Sequence, residues 1–245
     1  MIILYSGTPG SGKSLHSAID ILYRIKTKRM TIANFPVTIE SEYFKFVDKG
    51  LTVKYLIDFS KEYFKTHKYQ EGAINVYIDE AQLLFNCRDF TRKDRQEWLS
   101  FFTQHRHLGY DIIFMCQFER MLDRQIRYLI EYEYIHKKVK NFGWKGYFIS
   151  AVKLSMFTTL FQYVKVWSPI KEKVDVGYFT YKKKYGKLYD TNRLFDNLGE
   201  EFKTTEKEKE KEKEEVVSQG ASRLGLVSLL IRPKATLDER KKQKV

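Results

Sequence analysis

The sequence predicts an α/β domain built on a doubly wound, mostly parallel sheet flanked by helices, with an antiparallel C-terminal extension. Three observations predict it. Apolar runs of strand length alternate with stretches of helical periodicity as far as Val139. A glycine-rich loop joins the first run to the first helical stretch. Beyond about Trp144, strand-like runs follow one another with no helix between them.

Met1 to Tyr5 reads as the first strand. Apolar residues at Leu15, Ala18, Ile19, Leu22 and Ile25 then recur at helical spacing. Met30 to Phe35 reads as a second strand ending near Asn34 and Pro36, and Tyr55, Leu56, Phe59, Tyr63 and Phe64 mark a second helix. Ile74–Ile78 is a short buried strand that ends at Asp79. A helix around Trp98, Leu99, Phe101 and Phe102 follows, with Gly109 placed to terminate it. Ile112–Met115 forms the core of the next strand, Met121–Leu129 a helix, and Tyr132–Val139 a further strand.

Between the first strand and helix lies Gly7-Thr8-Pro9-Gly10-Ser11-Gly12-Lys13-Ser14, which matches G-x-x-x-x-G-K-[ST], the P-loop. The glycines let backbone N–H groups turn inward, and the helix start adds partial positive charge where phosphates lie. Gly7 through Leu15 are therefore the predicted nucleotide-binding segment, with Lys13 reaching the β- and γ-phosphates and Ser14 ligating Mg²⁺. The fold is predicted to be that of a P-loop NTPase.

Ile74–Ile78 delivers two acids, Asp79 and Glu80, at its C-terminal end, the Walker B form. In a parallel sheet that end faces the same crevice as the P-loop. Asp79 is predicted to hold Mg²⁺, and Glu80 to polarise the attacking water. Gln117 follows the next strand and should emerge on the same edge, where an amide can sense the γ-phosphate. Arg106 either pairs locally or reaches a neighbouring subunit's nucleotide as an arginine finger, with Arg124 and Arg127 as its rivals. His105 and His107 read as surface or capping residues.

The net charge of +13 is uneven: twelve lysines lie between Lys137 and Lys187 against only Glu172 and Asp175, with twelve aromatics among them. Three readings stay open: alternating strands with a lysine-rich solvent face, a surface for nucleic acid, or one for anionic lipid head groups. No window holds eighteen uncharged apolar residues, so no membrane span is expected, and the early P-loop leaves no room for a leader peptide. Cys87 and Cys116 show no metal-ligand spacing and favour a reducing compartment.

The expected organisation is an ATPase core over residues 1–142 and a basic aromatic strand extension of the same domain over 143–200. A Glu/Lys linker follows over 201–219, centred on the alternation Glu206–Glu215, and a short apolar and basic tail over 220–245.

Five stretches resemble the zonular occludens toxin-like proteins, a family that includes the filamentous-phage assembly ATPases: GTPGSGKS (7–14), IANFP (32–36), VYIDEAQ (76–82), QHRHLGYDIIFMCQ (104–117) and YKKKYGKLYDT (181–191). The resemblance implies an ATP- and Mg²⁺-dependent motor for extrusion of single-stranded phage DNA, with Lys13, Ser14, Asp79, Glu80 and Gln117 at matching positions. It further implies a homo-oligomeric ring, phage coat or envelope-channel partners, and residence in the host cytoplasm. Familiar members carry a membrane-spanning helix after this domain, whereas this chain has the Glu/Lys linker; contact with the membrane's inner face would be peripheral or through a partner. The alternatives are a DNA translocase or helicase-like ATPase of replication or conjugation, and a nucleotide-gated scaffold with little turnover.

Overall fold

The computed structural model describes residues 1–47, 50–89, 92–142, 159–186 and 188, all within the compact unit Met1–Asp190. The predicted linker and tail, and residues 143–158, 187 and 189–200 of the strand extension, lie outside the described residues.

Among the described residues, eight strands form one sheet in the order β3-β2-β4-β5-β1-β6-β7-β8. Strands β1 (Ile2–Ser6), β2 (Met30–Ala33), β3 (Phe44–Phe46), β4 (Ile74–Ile78), β5 (Tyr110–Met115) and β6 (Tyr132–Lys138) run parallel. Strands β7 (Leu160–Trp167) and β8 (Glu172–Thr180) complete the sheet as an antiparallel hairpin, β7 pairing with β6. Every residue of β1, β2, β4 and β5 is buried. That is why these strands read as unbroken apolar runs: a parallel sheet is covered on both faces.

Helix α1 (Lys13–Lys26) covers one face, seating Ile21 against Ile3, Tyr5, Tyr77, Ile113 and Met115. Helices α2 (Val53–Thr66), α4 (Arg95–Gln104) and α5 (Arg124–Leu129) cover the other, where Leu56, Trp98, Phe102 and Ile126 pack on Leu4, Ile78 and Phe114. The Thr52 side chain caps α2 by accepting from the Tyr55 N–H, and Asp123 caps α5 by accepting from the Gln125 N–H.

Three expectations change. Helix α4 ends at Gln104; Gly109 instead takes a left-handed turn (φ 74°) directly before β5. The stretch predicted as one helix over Met121–Leu129 divides into a 3₁₀ turn, Glu119–Met121, and α5, because Leu122 runs extended to bridge Asn86. Of the surface and capping readings of His105 only capping holds: it is the C-cap of α4, buried, with its Nδ1 2.6 Å from the Phe102 carbonyl. Edge strand β3 and the short helix α3 (Ala81–Leu84) carry too few residues for a periodic signal.

Candidate nucleotide site

Topology places the site. Strand β5 lies between β1 and β4, so the loops leaving all three strands share one edge of the sheet. The P-loop leaves β1, Asp79 and Glu80 leave β4, and Gln117 leaves β5 between them. Its carbonyl accepts from the Gly7 N–H at 3.1 Å.

Thr8, Pro9 and Gly10 form the exposed tip of the loop. Gly7 (φ 143°) lies so close to β6 that a Cβ there would stand 2.5 Å from the His136 carbonyl oxygen and 2.7 Å from Ser11 Oγ. Gly12 (φ 97°) opens α1, and a Cβ on it would stand 2.7 Å from the Phe161 ring. Both glycines are therefore required by contact as well as by backbone conformation. Ser11 Oγ is buried with no hydrogen-bond partner among the described residues.

Lys13 Nζ folds back over the loop, donating to the Gly7 carbonyl at 2.6 Å and the Thr8 carbonyl at 3.4 Å. Burial lowers its pKa, and the nearby charges of Asp79 and Glu80 act in the opposite direction. The ammonium and the two carboxylates thus share one electrostatic environment.

Asp79 and Glu80 sit in a braced turn. The Asp79 Oδ1 accepts from the Glu80 N–H at 2.8 Å. Asn34, one residue past β2, accepts from the Asp79 N–H at 2.7 Å and donates to the Asp79 carbonyl at 3.1 Å. Glu80 is exposed and in left-handed backbone (φ 47°), an uncommon conformation for a non-glycine residue. Gln82 donates to the Glu80 carboxylate, while the oxygen of its buried amide has no partner among the described residues.

Behind the loop, Ser6 Oγ donates to buried Glu133 at 2.6 Å, and His16 Nδ1 lies 2.8 Å from His136 Nε2. The His16 ring stacks on Tyr5, Tyr163 and Phe179, at centroid distances of 4.8, 4.9 and 5.0 Å. These aromatics of β7 and β8 pack on the P-loop helix, as simple alternation requires. Cys116, just before Gln117, is buried, its thiol pushed up to about 12 by burial.

The structure brings together Gly7 through Leu15, Asp79, Glu80 and Gln117. Arg106 stands apart, at the opposite edge of the sheet where β5 begins. There it pairs with Glu131 at 2.7 Å and Glu71 at 3.4 Å. Sequence reasoning missed Asn34, Gln82, Glu133 and the histidine pair; only Asn34, a polar residue at the end of a strand beside β4, carried a usable signal.

Residues 1–193 match the family model described as zonular occludens toxin (Zot). The chain belongs to the Zot family. Solved structures similar to this Zot-family chain include the N-terminal domain of zonular occludens toxin from Neisseria meningitidis, 21% identical, covering 77% of this chain and 98% of that one at a TM-score of 0.49. The genome packaging NTPase B204 of Sulfolobus turreted icosahedral virus 2, bound to ATPγS, is 17% identical over 72% of this chain and 95% of its own, with a TM-score of 0.45. A DnaB-like replicative helicase is 13% identical over 77% of this chain and 58% of its own, with a TM-score of 0.50, a similarity of fold. A search of curated proteins found no match. The chain is a P-loop NTPase with a mixed, mostly parallel sheet. Among the described residues, no helix is long and apolar enough to cross a membrane.

Proposed function

We propose that this protein is an Mg²⁺-dependent ATPase motor that drives filamentous-phage assembly or export of single-stranded DNA through the host envelope. The observation that carries the ATPase reading is the convergence of Lys13, Asp79 and Glu80 at the mouth of the P-loop. Family membership and the lysine-rich C-terminal region support the DNA half of the reading.

The donors fit the substrate. The loop N–H groups and the start of α1 suit phosphate oxygens, and the orphaned Ser11 hydroxyl and the Gly7 and Gly12 contacts leave a cradle with no room for side chains. Lys13 would exchange the Gly7 and Thr8 carbonyls for phosphate oxygens. Ser14 and Asp79 supply oxygen donors of the kind Mg²⁺ takes, and Mg²⁺ when bound neutralises charge on the β- and γ-phosphates.

Glu80 acts as the base that orients and polarises water, and Gln117 senses whether the γ-phosphate is present. Because Gln117 and Gly7 are joined through the main chain, loss of that phosphate reaches β5 and the loop together. The protein works as a homo-oligomeric ring in the host cytoplasm, with Arg106, Arg124 and Arg127 as the arginines to be tested for action on a neighbour's nucleotide. Residues 1–142 form the ATPase core, 143–200 its extension, 201–219 a linker and 220–245 a short apolar and basic tail.

Displacement of streptavidin from the end of a biotinylated single strand tests the motor reading. ATP-dependent displacement that Lys13→Ala abolishes supports it. Strand separation of a duplex at comparable rate would favour a helicase, and turnover without displacement a nucleotide-gated scaffold.

A further inference from the structure

Helix α5 and the β7–β8 hairpin enclose an open groove of about 380 Å³. Its lining carries three cations, Arg124, Arg127 and Lys171, against one acid, Glu119. Arg24, Arg92, Arg95 and Arg106 each pair with a carboxylate. Among the described residues the two groove arginines do not, and neither do the exposed Arg29, Arg88 and Arg120; the groove differs in lining one concavity with two such arginines. Arg127 Nε is buried without an acceptor among the described residues. Arg124 Nε donates to the neutral Tyr128 hydroxyl at 3.0 Å, and its guanidinium lies 5.6 Å from that ring's centroid.

Two like charges three residues apart on one helix, neither of them paired with a carboxylate among the described residues, are unfavourable by themselves; the one acid of the groove, Glu119, is engaged by Lys171. An anion in the groove would reverse that. Guanidinium groups suit phosphate because their planar forks donate two parallel hydrogen bonds. The Tyr128 ring, 73% exposed beside them, offers a stacking platform for a base. The cations line a concavity open to solvent, which fits a threaded strand better than the plane of a membrane.

Lys171 connects the groove to the nucleotide site. It sits in left-handed backbone (φ 54°) at the hairpin turn, its Nζ 2.8 Å from Glu119 and 3.6 Å from Glu133. Glu133 in turn accepts from Ser6, the residue before Gly7. A phosphate in the groove therefore competes with Glu119 and Glu133 for Lys171, and alters the charge facing the start of the P-loop.

We propose that Arg124 and Arg127 bind the phosphodiester backbone of single-stranded DNA in this groove, and that Lys171, Glu133 and Ser6 report its occupation to the P-loop. The proposal rests on the DNA-motor reading above. Its test is a titration of the full chain with a labelled thymidine oligonucleotide of about 16 nucleotides, across a salt series. Wild type is compared with Arg124→Gln/Arg127→Gln and Arg124→Lys/Arg127→Lys, and binding of ATPγS without DNA reports folding. The Gln pair should bind DNA more weakly, with a log affinity–log salt slope shallower by about 1.4, since each lost single-strand phosphate contact removes about 0.7. It should bind ATPγS normally, and the Lys pair should keep the wild-type slope. Glu133→Gln should bind DNA as wild type does yet lose the effect of DNA on turnover.

Wild type that binds no DNA overturns the DNA-motor reading and this site with it. Wild type that binds DNA with an unchanged slope in the Gln pair overturns the site alone. Unchanged DNA binding with lost DNA-free turnover assigns the arginines to a neighbour's nucleotide, and a defect confined to phosphatidylserine vesicles assigns them to lipid; either overturns the proposal.

Discussion

Asn34 grips the main chain of Asp79 from both sides, accepting from its N–H at 2.7 Å and donating to its carbonyl at 3.1 Å. One amide thus ties β2 to the turn that carries both acids. Asn34→Ala removes both side-chain hydrogen bonds to the Asp79 main chain and should cost about 1–3 kcal/mol. Urea unfolding measures that loss. Turnover should fall more than ATP affinity does, because the variant loosens Asp79 and Glu80 and leaves the P-loop intact.

Glu80→Gln should retain ATP binding and slow hydrolysis by about 10²–10⁴-fold, the usual scale for removing a general base. Undiminished turnover in this variant would remove Glu80 from the assigned role. Gln82→Ala, which frees the Glu80 carboxylate from its amide donor, should change kcat with little effect on KM.

Gly7→Ala pushes a methyl group into the His136 carbonyl and forces an L side chain into a glycine conformation. ATPγS affinity should drop at least tenfold, about 1.4 kcal/mol. Binding within a factor of two of wild type would show that the loop accommodates the contact.

The histidine pair makes stability depend on pH. Burial lowers both pKa values, that of His16 to about 4 and that of His136 to about 3. With both rings neutral, His136 donates from Nδ1 to the Ser6 carbonyl, and its Nε2 accepts from His16 Nδ1. Unfolded histidine titrates near 6.5. Below that pH the unfolded chain takes up protons that the folded chain refuses. The pair's contribution is therefore whole above about pH 6.5 and declines as pH falls towards 4, by at most about 1.4 kcal/mol per pH unit for each histidine. Urea unfolding at pH 7 and pH 5 should show the decline, and His16→Phe should show a shallower one.

The sequence made the parallel core legible because each of β1, β2, β4 and β5 is buried on both faces, leaving a continuous apolar run. The P-loop and Asp79-Glu80 were legible because their chemistry needs consecutive residues. Gln82, Glu133 and the His16–His136 pair were not, because their roles depend on partners brought near by the fold: His16 and His136 lie 120 residues apart. Arg106 shows the converse. Its place after α4 left two roles open, a local pair or an arginine finger in a neighbouring subunit, and the strand direction puts it at the far edge, paired with Glu131 and Glu71. The end of α4 was misplaced because Gly109 resembles a helix terminator and serves the turn into β5.

The most direct measurement is steady-state ATP hydrolysis by the purified protein over a concentration series, with and without single-stranded DNA, and with Glu80→Gln as control. Turnover per chain should rise with protein concentration, rise again with DNA, and fall by about 10²–10⁴-fold in the variant. Tight ATP binding with negligible turnover, indifferent to concentration and to DNA, would contradict the motor reading.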